Sequence, residues 1–111
     1  DYQDEINFGQ ELLNHVVKQY DSLKNHLIGR TPNWESDRIA RIDYIILITS
    51  TAELLYFPSI PTKVTLNEYI EIAKEFSSPS SGKFVNGVID NIVKDLTNKG
   101  LIVKKGRGLI S

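Results

Sequence analysis

Between Ile39 and Tyr56 the chain carries apolar residues on nearly every side of a helix. Ile39, Ile42, Ile46, Thr49, Leu55 and Tyr56 share helical spacing, and Ile45, Leu47, Ile48 and Leu54 extend the apolar surface around the cylinder. A helix without a polar face has to be covered from several directions, so this segment is expected at the centre of a domain, starting near a cap at Ser36. Its longest apolar run, Tyr44 to Ile48, is five residues, far below the roughly 18 needed to suggest a membrane span.

Three further amphipathic segments are available to cover it. From Tyr2 to Ile28, Leu13, Val16, Tyr20, Leu23 and Leu27 recur at spacings of 3, 4, 3 and 4, one face of a single long helix that Gly29 would stop. The prolines in Phe57-Pro58-Ser59-Ile60-Pro61 force a break. Thr65-Leu66-Asn67-Glu68 then reads as a capping box, with Tyr69, Ile70, Ala73 and Phe76 carrying the helix on. Ser77 to Gly82 is a loop by composition and a good cap for a last helix. Phe84, Val85, Val88, Ile89, Ile92, Val93 and Leu96 form the apolar face of that helix, which Gly100 ends. Thr31-Pro32 suits one short helical turn, and Trp34 a core plug. The expected fold is all-α, a bundle of four main helices over residues 1–100, with 101–111 a basic, flexible or extended tail.

Chemistry is constrained mainly by what is missing. With no cysteine there is no disulfide, thiolate site or cysteine nucleophile. His15 and His26 are eleven positions apart, roughly 16 Å along a helix, too far to share a metal. Glu11 and His15, one turn apart, read as a surface pair. Glu68, Glu71 and Glu75 form an exposed acidic stripe, and Ser77 to Ser81 have no nearby histidine to activate a serine. No enzyme activity, cofactor or metal is expected. The charge of −1 hides an asymmetry: residues 1–35 are net −3, 36–79 net −2 and 80–111 net +4. Positive charge gathered at one end is either a solubilising tail or an attraction for polyanions. The chain also lacks methionine, so a segment upstream of residue 1 is expected.

Three motifs, in order, resemble the NusB transcription antitermination family. They are Arg38-x₄-Asp43-x₃-Leu47 with Glu53-Leu54 after it; Ile60-Pro61-x-Lys63-Val64-x-Leu66-Asn67-Glu68 running to Ala73-Lys74; and Lys83-Phe84-Val85-Asn86-Gly87-Val88-Ile89-Asp90. The match runs over about residues 5–96. The resemblance implies a helical, non-enzymatic, cytoplasmic bacterial protein that binds the boxA element of ribosomal RNA transcripts together with the ribosomal protein NusE, in an antitermination complex with RNA polymerase. Family members open with an arginine-rich helix and a second helix that this sequence lacks. An apolar patch on the first helix is therefore expected, covered by an upstream segment or a homodimer partner. Ile48 stands where the family usually has arginine, and the loop Ser77–Gly82 lacks the acidic residues often found there.

Carried over residue by residue, the resemblance puts Ser80, Ser81, Lys83 and Phe84 on the RNA side. Lys83 would contact a phosphate, and Phe84 would either stack on a base or pack in the core. Asp43 lies on the helix of the NusE-facing surface, exposed to a basic partner or paired with Arg38 or Arg41. Gly87 is expected to permit a close helix approach, with Asn86 bonded locally. Two alternatives stay open: an accessory domain of a larger protein such as an RNA cytosine methyltransferase, and a scaffold that binds protein only.

Overall fold

The computed structural model describes residues 1–29 and 38–105, with only the backbone at 38–40 and 79. Among the described residues there are five helices and no strand: α1 (Tyr2–Lys18), α2 (Tyr20–Leu27), α3 (Arg38–Tyr56), α4 (Thr62–Phe76) and α5 (Pro79–Asn98). The expected turn at Thr31-Pro32, the cap at Ser36 and the plug at Trp34 lie outside the described residues. The helix α3 touches each of the other four, the central position that its all-round apolar surface demands. Its buried hydroxyls are satisfied on its own carbonyls: Ser50 Oγ donates to Leu47 O at 3.0 Å, and Thr51 Oγ1 to the same oxygen at 2.7 Å. Ile48 is 3% exposed, so the position where the family usually has arginine belongs here to the core.

The first long segment is two helices, not one, which makes five helices rather than four. The break is at Gln19, with φ −109° and ψ 19°. It has a packing consequence: Leu23 and Leu27 of α2 are buried, while α1 buries no residue fully. Leu12 and Val16 lean on the core, and Leu13, Val17 and Tyr20 stay exposed, so of the expected stripe Val16, Leu23 and Leu27 face inward and Leu13 and Tyr20 do not. The carboxyl end of α3 holds α1 through rings. His15 stacks on Tyr56 with centroids 4.8 Å apart and meets Phe57 edge-on at 5.5 Å, while Phe8 meets Phe57 at 5.1 Å. His15 is thus half-buried among aromatic rings rather than a surface residue.

The helix α4 starts at Thr62, with its cap at Pro61, four residues before the expected cap at Thr65; Pro61 is extended, with φ −61° and ψ 145°. Thr65 is fully buried inside α4 and caps nothing. Its hydroxyl donates to Glu53 Oε1 of α3 at 2.8 Å, and the Tyr69 hydroxyl donates to Glu53 Oε2 at 2.9 Å. A buried carboxylate has to be hydrogen-bonded, and Thr65 meets that demand instead of capping the helix. Burial, the Glu53 charge and the hydrogen bond to it together push the Tyr69 phenol well above its ordinary pKa.

The helix α5 also starts early, at Pro79, with Ser78 as its cap. It ends in a Schellman turn at Gly100, φ +72°, where the Leu101 amide bonds Leu96 O at 2.9 Å and the Gly100 amide bonds Thr97 O at 3.0 Å. Residues 101–105 then run without helix or strand against the α3–α4 corner, where the Lys105 amide bonds Pro58 O at 2.8 Å.

Candidate nucleic-acid interface

The turn between α4 and α5 is built from serines. Ser78 Oγ accepts from the Ser81 amide at 3.2 Å, satisfying one of the donors left open at the start of a helix. Ser81 Oγ lies 3.0 Å from both Ser77 Oγ and Ser78 Oγ, and its residue is only 6% exposed. Ser81 therefore closes the turn and does not face solvent as expected from the sequence. Ser80, next to it, is exposed, with its hydroxyl 3.1 Å from Ser78 Oγ.

Lys83 is exposed one turn into α5. Its helical neighbours at ±3 and ±4 are Ser80, Asn86, Pro79 and Gly87, none of them acidic. Lys94 and Lys99, further along α5, each pair with an aspartate one turn back at 3.1 Å. Lys83 takes no part in the described ion pairs, so among the described residues its charge has no ion-pair partner.

A second lysine reaches the same corner. A Cβ placed on Gly82 would lie 2.6 Å from Lys74 Cγ, so the Lys74 stem crosses α5 directly over that glycine. The close approach expected at Gly87 is made here instead; nothing lies within 4 Å of a Cβ at Gly87, which is exposed. Lys74 also pairs with Glu71 at 3.3 Å, an exposed contact that water and salt weaken. Sequence spacing could not find this convergence, because Lys74 and Gly82 belong to different helices. Nothing in the periodicity says which face of α4 meets α5.

The aromatic rings divide differently from the sequence expectation. Phe84 is half-buried and packs against the core. Phe76, the last residue of α4 and the neighbour of Ser77, is 63% exposed. The corner thus holds two lysines, an exposed serine and an exposed ring, next to the positive end of α5.

Asp43 is elsewhere and is not exposed. It is 4% exposed, and among the described residues its Oδ1 has no hydrogen-bond partner. A carboxylate so enclosed cannot meet a basic partner at the surface; the Arg38 side chain, one expected partner, lies outside the described residues. Among the described residues no cluster of three or more His, Asp or Glu is placed to hold a metal, and no helix is long and apolar enough to cross a membrane.

Comparison with known proteins agrees with the motifs. The model of the NusB family matches residues 2–94. The transcription antitermination protein NusB of Salinibacter ruber is 46% identical over 103 residues, covering 93% of this chain and 64% of that protein. Those of Chloroherpeton thalassium and Citrifermentans bemidjiense are 39% and 41% identical, covering 90% and 83% of this chain and 47% and 63% of theirs. The chain thus spans about half to two thirds of the length of these curated relatives. No solved structure matches it.

Proposed function

The chain belongs to the NusB family, and from that premise we propose that it acts in transcription antitermination, binding a boxA-type ribosomal RNA leader together with the ribosomal protein NusE in an RNA polymerase complex. The reading is one of binding rather than catalysis. The observation that carries it is Lys83, an exposed cation without a described counter-charge, with Lys74 drawn to the same corner across Gly82.

Each side chain has a physical task in this reading. Lys83 and Lys74 neutralise phosphates and release condensed counterions. The Ser80 hydroxyl donates to a phosphate or 2′-hydroxyl oxygen. Phe76 offers a ring face on which an unpaired base stacks, a contact worth about 1–3 kcal/mol. Phe84 anchors the first turns of α5 to the core, so that Lys83 is held in place. Ser81 and Ser78 fix the turn from inside. The surface for NusE is not assigned to Asp43, because that carboxylate is enclosed.

The test is fluorescence anisotropy with a labelled boxA RNA at several salt concentrations, with and without NusE. Lys83→Ala should weaken binding and flatten its salt dependence, whereas Lys94→Ala, which breaks a pair with Asp90, should not. Equal binding by Lys83→Ala and the unsubstituted chain would remove the RNA assignment and leave a protein-only scaffold.

A further inference from the structure

After the turn at Gly100, residues 101–105 alternate. Leu101 and Val103 face solvent at 46% and 52% exposure, while Ile102 packs on the core. Lys104 turns inward as well. Its ammonium donates to Phe57 O at 3.0 Å and Glu53 O at 3.3 Å, at the carboxyl end of α3. With the Lys105 amide on Pro58 O, the segment is fastened at two consecutive residues to the α3–α4 corner.

Two aspects of Lys104 need explaining. Lysine is seldom drawn away from water, and burial here does bring its pKa below the ordinary value, against the opposing pull of Glu53. Moreover, its two acceptors are backbone carbonyls that already take bonds from the Phe57 and Ile60 amides. Satisfying those carbonyls therefore does not require it. Among the described residues, what the corner otherwise lacks is positive charge. Glu53 is 5% exposed, and the donors to its carboxylate among the described residues are the neutral hydroxyls of Thr65 and Tyr69. The negative end of the α3 dipole adds to the same field. Among the described residues Lys104 is the cation brought to this place, from 51 positions away in sequence.

We infer that residues 101–105 form a strap whose Lys104 offsets the buried Glu53 charge, so that fastening the strap locks α4 to α3 and releasing it loosens α4. Lys104 is a positioning residue. Its described hydrogen bonds go to neither Thr65 nor Tyr69, and it acts on both through the charge of Glu53. The lock bears on the α4–α5 corner because α4 carries Lys74 and Phe76 at its far end. Packing and charge alone produce the lock, which is independent of RNA binding.

Amide hydrogen exchange in the full chain tests it, using Lys104→Met, Glu53→Gln and the double variant. The glutamine keeps the shape of Glu53 and removes the charge; its Oε1 can still accept from one hydroxyl, while its amide N–H donates to the oxygen of the other. Lys104→Met should speed exchange of the α4 amides over residues 65–74 at least tenfold while leaving α1 within twofold. In the Glu53→Gln background the same lysine substitution should change α4 exchange less than threefold, because there is no buried charge left to offset. Unchanged α4 exchange in Lys104→Met, or an equal acceleration in both backgrounds, would overturn the inference. If Lys104→Met does not fold, the double variant decides: recovery of a folded chain supports the coupling, and failure to recover overturns it. Lys104→Arg, which keeps the charge, should retain α4 protection within threefold; a tenfold loss there would also count against the lock.

Discussion

The Tyr69 hydroxyl of α4 donates to Glu53 Oε2 of α3 at 2.9 Å, inside the interface and not at its rim. The bond ties the two helices on which the candidate interface depends, and it gives the fold a defined response to alkali. The folded phenol has its pKa raised above the ordinary 10.0, first by burial and then by Glu53. Between those two values the unfolded chain loses a proton that the folded chain keeps. The contribution is therefore fully present below about pH 10 and is lost as pH rises further, by up to about 1.4 kcal/mol per pH unit. Thermal melts between pH 9 and 11 should fall more steeply for the unsubstituted chain than for Tyr69→Phe. Parallel curves would show that another group controls the alkaline transition.

Removing the acceptor has a different signature from removing one donor. Glu53→Ala orphans two buried hydroxyls at once and should cost about 3 kcal/mol in urea unfolding, whereas Glu53→Gln should cost about 1 kcal/mol. A Glu53→Ala variant as stable as the unsubstituted chain would mean that the pocket admits water.

At the corner, charge and stability should separate. Lys83→Ala removes an exposed side chain with no described ion pair and should alter unfolding free energy by no more than about 0.5 kcal/mol. It should nevertheless reduce the slope of log affinity against log salt by about 0.7, the value for one phosphate contact on a single strand. A slope that does not move would mean that Lys83 contacts no phosphate.

Gly82 and Gly87 lie in the same helix, and alanine should affect them in opposite directions. Gly87→Ala meets nothing within 4 Å and should stabilise α5 by about 0.5–1 kcal/mol. Gly82→Ala places a Cβ 2.6 Å from Lys74 Cγ and should destabilise by about 1 kcal/mol, and Lys74→Ala should relieve that cost. Calorimetry of the two single variants and the Gly82→Ala, Lys74→Ala double variant checks it. Equal effects at both glycines would rule out the close approach at Gly82.

The outward residues of α1 contribute little to the packing seen in the chain itself. Leu13 and Val17 are 62% and 68% exposed, so changing both to serine should shift stability by less than about 0.5 kcal/mol. The same change should raise the concentration at which the chain self-associates in sedimentation velocity, if that face is what two copies share. Loss of folding on such a change would show that these residues are covered within the chain.

Periodicity alone determined much of this protein. Apolar residues all round 39–56 required a central helix, because every side of such a helix must be removed from water, and α3 meets all four others. The break around Pro58 and Pro61 and the stop at Gly100 were equally legible, since proline and glycine act on the local backbone whatever surrounds them. Ser80 and Lys83 are exposed. What the sequence left open depended on which side chains meet across helices. Thr65 and Glu68 fit a capping box by spacing, but a carboxylate twelve residues earlier takes the threonine. Spacing left Asp43 open between a surface charge and a pair with Arg38 or Arg41, and it lies enclosed. Lys74 can cross so close to α5 because Gly82 lacks a Cβ, and Lys104 turns inward onto the backbone carbonyls of Glu53 and Phe57. Local rules act between neighbours along the chain, whereas burial and charge compensation depend on neighbours in space, and only the packed tertiary structure decides those.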